Sequence, residues 1–235
     1  TKDICSRLRS SFDIPVSLLI SPTILSKTDL HDFKDAGADK IGVAIDLATP
    51  ELFDQYRGKG VGGPHKWEIY RQCLSDAITI FGKRNAGSHF VTGMGESEKE
   101  MVEAIQKIQD SGGWTHLFSF FPEADSQMKE HPMPKMDHYR RIQLARYLMD
   151  EGFSRAEKMA FDPSGRILDF GLPPEDLDRI IDTGDPFRTS GCEGYDGQVA
   201  CNRPYANSRP GPHMRNYPFP PEEEDIRRIR HQMKM

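Results

Sequence analysis

The stretch AGSHFVTGMGESEKEM, residues 86–101, decides the fold that the sequence predicts. An apolar strand runs into Gly-Met-Gly-Glu, and an amphipathic helix begins directly afterwards. Parallel α/β proteins bind ligands at such strand-to-helix junctions, because glycines allow close approach to the backbone and helix N–H groups favour polar or negative atoms. The segment predicts a ligand site at residues 93–96, although two-glycine turns also occur in α/β proteins without a ligand.

Strand and helix patterns alternate on both sides of this junction. The strand segments IPVSLLIS (14–21) and ADKIGVAID (38–46) come before it, and THLFSFF (115–121) comes after it. Each is followed by a segment with helical spacing of apolar residues. Repeated βα units of roughly 25 to 35 residues predict a parallel sheet with right-handed crossovers. We expect an α/β fold over residues 1–183, a partial or open (β/α) barrel of the TIM type.

The strand at 38–46 indicates where the chemistry of such a barrel lies. Its bulky residues Ile41, Val43 and Ile45 share one face, and Asp46 stands at its carboxyl end. Barrel enzymes carry their active sites at the carboxyl ends of the strands. Asp46 is therefore a candidate site residue, and an N-cap for the helix TPELF is its alternative role. His65 and Trp67 are attributed to packing and capping of the following helix.

Residues 184–235 differ in character and are predicted to form an irregular C-terminal extension with a cysteine pair and a terminal helix. Cys192 and Cys201 lie in TSGCEGYDGQVACNRP, among Gly, Asn and Pro. Thiolates select zinc and iron–sulfur centres, so the pair is a candidate metal site. The spacing is not a standard zinc signature, and two thiolates are too few for a four-cysteine site. Two free cysteines without a function remain the alternative.

Composition limits the class of protein. The 235 residues carry a net charge of −5 without a block of basic residues, which argues against nucleic acid as a partner. The apolar runs are far shorter than the ~20 residues that cross a bilayer, so we expect no membrane partner. Four cysteines without a secreted disulfide pattern favour a reducing compartment, and we expect a cytoplasmic protein.

The order of the segments resembles a known family. AIDLATPELF, a helix starting HKWEIY, HFVTGMGESEKEM, THLFSFFPEADSQM and YRRIQLARYLM resemble successive βα units of radical S-adenosylmethionine enzymes of the biotin synthase and lipoyl synthase type. The similarity spans roughly residues 14–170. The TSGC to ACNRP tail is similar to the carboxyl end of lipoyl-synthase-like members that divide sulfur insertion between two related proteins.

The resemblance implies a binding site for S-adenosylmethionine. Asp46 matches the family's acid that hydrogen-bonds the ribose hydroxyls, and Gly93, Gly95 and Glu96 match the strand motif beside the adenine. His89 stands where the family has a further glycine. Cys192 and Cys201 would contribute to an auxiliary iron–sulfur cluster near the substrate, and such a cluster can donate sulfur.

The implied activity is insertion of sulfur at an unactivated carbon, with an octanoyl chain on a carrier domain as the leading substrate and a related radical S-adenosylmethionine protein as a partner. The family holds its catalytic [4Fe–4S] cluster with a C-x₃-C-x₂-C loop, and this sequence has no such spacing. We expect the chain alone to be inactive. Because the chain enters an apparent helix almost immediately after Thr1, we expect the cluster loop to precede it; a degenerate relative without the loop is the alternative.

Two other functions fit parts of the sequence. The first is a barrel enzyme without radical chemistry that binds a phosphorylated small molecule at the 93–96 turn. The second is a non-catalytic partner subunit, in which PFPPEEEDIRRIRHQMKM is the contact helix, although a solvated terminal helix explains that segment as well.

Overall fold

The computed structural model describes residues 1–196, 199–202, 208–211 and 213–233, with the backbone alone for residues 192, 193 and 199–202. The helices are α1 (Lys2–Ser11), α2 (Lys27–Asp35), α3 (Pro50–Tyr56), α4 (Trp67–Phe81), α5 (Glu98–Asp110), α6 (Met136–Asp150), α7 (Pro174–Thr183) and α8 (Glu223–Met233). The strands are β1 (Ser17–Ile20), β2 (Lys40–Asp46), β3 (Ala86–Thr92), β4 (Trp114–Ser119), β5 (Ala160–Phe161), β6 (Ile167–Asp169), β7 (Gly191–Glu193) and β8 (Val199–Asn202).

The main sheet is four-stranded and parallel, in the order β1-β2-β3-β4. Leu18 pairs with Ile41 between β1 and β2, and Asp46 pairs with Phe90 between β2 and β3. Helices connect these strands in sequence order. The predicted α/β class and the parallel sheet are therefore confirmed, and the strands appear where the sequence pattern placed them.

Alternation along β2 sorts its residues between two environments. Ile41, Val43 and Ile45 are fully buried on the face that receives α4, and Asp46 is partly exposed. β-branched residues on one face of a strand suit this arrangement, because they pack well on a pleated surface. The predicted core face of this strand is confirmed.

Local signals fix the starts of two helices. Ser26 and Asp29 form a reciprocal capping box at α2. At α5, the Ser97 hydroxyl accepts the Glu100 N–H at 3.2 Å, and the Glu100 carboxylate accepts the Ser97 N–H at 2.7 Å. Each box satisfies two backbone donors that the first helical turn leaves unpaired. The capping box predicted for Ser97 and Glu100 is confirmed.

Contacts divide the chain into two compact units. The first comprises residues 1–90, 107–116 and 191–201, and it includes α1 to α4 with β1 and β2. The second comprises residues 91–106, 117–190 and 202–235, and it includes α6, α7, α8 and the antiparallel pair β5-β6. The predicted hairpin turned at residues 163–165 corresponds to this pair.

The segment 184–221, predicted as irregular, contains some regular structure. A short 3₁₀ helix spans Asp185–Phe187, and β7 pairs with β8 in a small two-stranded sheet. The terminal helix α8 packs against α6 and buries Ile226, Ile229 and Met233, so its apolar stripe belongs to the core of the second unit. Within the described part of the chain, no helix combines the length and apolar character needed to cross a membrane.

We expect Ile229→Ala to lower the free energy of unfolding by about 2–5 kcal/mol, because the substitution leaves a cavity under α8 where the side chain is fully buried. Urea denaturation measures the change. Arg227→Ala on the same helix is the control, since Arg227 is 71% exposed and should change stability by less than about 0.5 kcal/mol. Equal stabilities of the two variants would contradict the packing of α8.

Candidate functional site

Asp46 occupies a strained position at the carboxyl end of β2. Its backbone has φ of +67°, in the left-handed region that residues other than glycine rarely adopt. Strain of this kind costs of order 1–3 kcal/mol and is concentrated at functional sites. The helix that follows is capped by Thr49, whose hydroxyl accepts the Leu52 N–H at 3.3 Å. The alternative role of Asp46 as that helix cap is therefore wrong.

Arg57 holds one oxygen of the Asp46 carboxylate. Its Nη1 donates to Asp46 Oδ2 at 2.5 Å and also to the carbonyl of Ala44. The guanidinium carbon lies 5.6 Å from the ring centre of Phe53 and 5.0 Å from that of Tyr70. Cation–π contacts of this kind are strongest where the cation is shielded from water, and only 17% of the Arg57 side chain is exposed. The carboxylate is thereby fixed in orientation.

The other oxygen of Asp46 is available to a ligand. Oδ1 has no hydrogen-bond partner within the described part of the chain, and 32% of the side chain is exposed. Burial raises the pKa of Asp46, and the nearby Arg57 charge counteracts part of that rise. A fixed carboxylate with a free oxygen can accept hydrogen bonds from hydroxyl groups.

Further polar groups continue from Arg57. Its Nη2 donates to the Tyr70 hydroxyl at 3.3 Å, and that hydroxyl lies 2.8 Å from His65 Nδ1. Thr23 Oγ1 lies 2.5 Å from the same ring nitrogen. The residues come from the segments that follow β1 and β2, so they gather at the carboxyl ends of parallel strands, where α/β proteins bind ligands.

The Gly93–Glu96 turn in the second unit is closed by its own glutamate. Glu96 accepts the Gly93 N–H at 2.7 Å with Oε1 and the Met94 N–H at 2.9 Å with Oε2. Glu96 is buried. These two backbone donors are occupied by a side-chain carboxylate and do not present an open anion-binding nest.

Intramolecular packing also explains why residue 93 is a glycine. Gly93 has φ of +100°, and a Cβ atom there would lie 2.5 Å from Cδ of Pro134. His131 Nε2 lies 2.7 Å from the Gly93 carbonyl oxygen. Gly95 also has a positive φ, of +114°. The turn therefore requires glycine for its own conformation, and a bound ligand is not needed to explain it.

A buried charge cluster anchors the start of α5 to α6. Arg141 donates three hydrogen bonds to Glu98, at 2.6, 2.9 and 3.0 Å, and Glu98 also accepts the Ile167 N–H at 2.7 Å. His138 lies between two carboxylates, with Nε2 3.5 Å from Glu96 Oε1 and Nδ1 3.4 Å from Glu98 Oε1. The cluster supports the same Glu96 that closes the turn.

The carboxylates in this cluster decide the protonation of His138. Burial acts to lower the pKa of His138, but hydrogen bonding and attraction from Glu96 and Glu98 raise it to about 9. Burial likewise acts to raise the pKa of Glu98, and the hydrogen bonds from His138, Arg141 and the Ile167 N–H bring it below its ordinary value. At neutral pH, His138 is therefore a largely buried imidazolium beside Glu96 and Glu98.

The predicted site residues are divided between the two units, and two of them have no described side chain. Asp46 lies in the first unit, and Gly93, Gly95 and Glu96 lie in the second. The backbone of Cys192 lies in β7 and that of Cys201 in the paired strand β8, while both side chains fall outside the described part. Among the residues whose side chains are described, no cluster of three or more His, Cys, Asp or Glu could hold a metal ion.

Sequence reasoning did not find several of these groups. Arg57, Tyr70 and His138 carry no motif, and their roles depend on contacts with residues 5 to 42 positions away. The sequence pattern attributes His65 to packing and capping, but its ring joins the polar network. Its position between a glycine-rich loop and α4 was the one available signal. Comparison of the chain with protein-family models and with curated protein sequences finds no match.

Replacing Glu96 by Gln should loosen the turn, because the new side-chain amide nitrogen would face a backbone N–H that now donates to a carboxylate oxygen. We expect hydrogen-exchange protection of Gly93 or Met94 to fall by about 1–3 kcal/mol. The control is Glu100→Gln, which alters the capping carboxylate of α5 at an exposed position. Unchanged protection at both amides in Glu96→Gln would contradict the closure of the turn by Glu96.

The raised pKa of His138 predicts a loss of stability at alkaline pH. The stabilisation is fully present below the unfolded-state pKa of 6.5 and disappears as pH rises through the folded-state pKa of about 9. A difference of about 2.5 in pKa corresponds to about 3 kcal/mol. We expect the stability advantage of wild type over His138→Gln, measured by urea denaturation, to shrink between pH 7 and 10. The control is His31→Gln at an exposed position; an advantage over His138→Gln that is constant with pH would contradict the prediction.

Proposed function

We propose that this chain is the S-adenosylmethionine-binding part of a radical S-adenosylmethionine enzyme of the biotin synthase and lipoyl synthase type. The observation that carries the proposal is the Asp46 carboxylate at the end of β2, with Oδ2 held by Arg57 and Oδ1 without a hydrogen-bond partner in the described part of the chain. We also propose that the parallel sheet belongs to a partial or open (β/α) barrel of the TIM type.

The chemistry of Asp46 suits the ribose of S-adenosylmethionine. A carboxylate accepts hydrogen bonds from hydroxyl groups, and hydrogen bonds that involve an ionised group are the strong ones. Arg57 keeps the carboxylate in one orientation and opposes its protonation. The site can therefore receive a hydroxyl-bearing ligand without first reorganising, which lowers the entropic cost of binding.

The cysteines of this chain do not fit the catalytic [4Fe–4S] cluster of that family. They stand at positions 5, 73, 192 and 201, and the buried Cys73 thiol has its pKa raised to about 12 by burial and by Asp76, which disfavours the thiolate that iron requires. We assign no radical step to these residues. Insertion of sulfur at an unactivated carbon would need ligands of the catalytic cluster from outside this sequence, and a related radical S-adenosylmethionine protein is proposed as a partner.

Cys192 and Cys201 are proposed as ligands of an auxiliary iron–sulfur cluster. Their location on paired strands β7 and β8 supports a shared role, since pairing brings the two backbones together. The substrate that follows from this proposal is an acyl chain on a carrier domain. A cytoplasmic location is also proposed, because buried, unpaired Cys5 and Cys73 thiols suit a reducing compartment.

The two alternatives receive less support. A phosphorylated ligand at the 93–96 turn would compete with Glu96 for the Gly93 and Met94 N–H groups. A partner docked on the apolar stripe of α8 would compete with α6, against which that stripe already packs.

Binding of S-adenosylmethionine tests the proposal, and an NMR chemical-shift titration detects even weak binding. We expect Asp46→Asn to weaken binding by about 1–3 kcal/mol, because its one oxygen would pair with Arg57 and leave an amide NH₂, which cannot accept from hydroxyls, in the place of Oδ1. Asp3→Asn is the matched control, since Asp3 is 74% exposed on α1. Equal affinity of wild type and Asp46→Asn would show that Asp46 does not bind the ligand. Absence of binding by wild type would rule out S-adenosylmethionine as the ligand.

A further inference from the structure

We propose that His65 presents a hydrogen-bond donor, Nε2–H, to the ligand of the Asp46 site. The proposal rests on the proposed function for the identity of the ligand, but the position of the ring proton is inferred from the hydrogen-bond network and does not depend on the ligand. His65 precedes α4 and is partly exposed, so its ring borders the polar network without being enclosed by it.

The network has a direction because it begins at a group that can only donate. The Arg57 guanidinium has no acceptor, so its contact with the Tyr70 hydroxyl oxygen at 3.3 Å makes that oxygen the acceptor. The proposal places the Tyr70 proton toward the nearer of the two neighbouring groups that can accept it. That acceptor is His65 Nδ1 at 2.8 Å, whereas Thr23 Oγ1 is 3.3 Å away.

With the Tyr70 proton directed to His65, the tautomer of the ring follows. A neutral imidazole has one protonated and one unprotonated nitrogen, so Nδ1 as acceptor leaves the proton on Nε2. Burial and the Arg57 charge both lower the pKa of His65, which favours the neutral ring at pH 7. Both hydrogen-bond contacts of the ring nitrogens, to Tyr70 and Thr23, involve Nδ1. In the described part of the chain, Nε2–H is therefore left for a ligand.

This arrangement narrows the class of ligand. Asp46 Oδ1 accepts from a donor, and His65 Nε2–H donates to an acceptor. Arg57 and Tyr70 connect the two groups through direct contacts, and the proposal takes both groups to meet one small molecule. The ligand then carries hydroxyl groups and, within the same molecule, an unprotonated nitrogen or an oxygen acceptor. A purely cationic or a purely apolar ligand does not meet this requirement.

The tautomer can be measured without any ligand. Long-range ¹H–¹⁵N correlation of the imidazole at pH 7 should show His65 with an unprotonated Nδ1 and a protonated Nε2. Tyr70→Phe removes the hydroxyl that donates to Nδ1 and should reduce the preference for this tautomer. A wild-type spectrum with the proton on Nδ1, or a charged ring at pH 7, would overturn the proposal.

Ligand binding tests the contact itself, with S-adenosylmethionine as the probe. We expect His65→Phe to weaken binding about tenfold and His65→Gln, which retains an N–H donor, to stay within about threefold of wild type. His31→Gln is the control for a distant, exposed histidine. Equal affinities of wild type and His65→Phe would overturn the contact while leaving the proposed function in place. If wild type does not bind the probe, the proposed function fails. The NMR measurement of the tautomer then tests by itself whether Nε2 of His65 carries the proton.

Discussion

The burial of the Arg57 guanidinium determines the arrangement of the polar end of the first unit. A cation that is largely removed from water must be surrounded by acceptors, because an uncompensated buried charge costs several kcal/mol. Asp46, the Ala44 carbonyl and the Tyr70 hydroxyl supply those acceptors, and the rings of Phe53 and Tyr70 flank the charge. The same contacts fix the Asp46 carboxylate and orient the Tyr70 hydroxyl. One side chain thus links the end of β2 to the start of α4.

The second unit also contains buried charged groups, and there the carboxylates find all their partners within the protein. Glu98 is satisfied by Arg141, by the Ile167 N–H and by His138, and Glu96 is satisfied by two backbone N–H groups of the turn. Both carboxylates are almost completely buried and are used to hold backbone and helices in place. Asp46 differs, since one of its oxygens has no hydrogen-bond partner in the described part. Asp46 is therefore better placed than the glycine turn to contact a ligand.

The cysteine spacing limits which part of the proposed function residues of this chain can supply. A carboxylate at the carboxyl end of a parallel strand suits a hydroxyl-bearing ligand such as a nucleoside, but redox chemistry on that ligand needs a metal centre. The cysteine spacing does not supply the expected catalytic cluster. In the proposed function, residues of this chain recognise the nucleoside, Cys192 and Cys201 belong to an auxiliary cluster, and the ligands of the catalytic cluster lie outside this sequence.

The sequence by itself determined the order and the type of the main elements. Apolar periodicity marked β2 and α4, and the Ser97–Glu100 pair marked the start of α5, because these signals act between residues only a few positions apart. Asp46 could be singled out for the same reason, since it ends a recognisable strand. Only the tertiary structure decided that Arg57 hydrogen-bonds to Asp46 and that α8 packs on α6. It also decided that Glu96 accepts the backbone N–H groups of its own turn and lies next to His138. Those outcomes depend on which side chains meet after the chain has folded, and neither local periodicity nor spacing encodes distances between elements far apart in sequence.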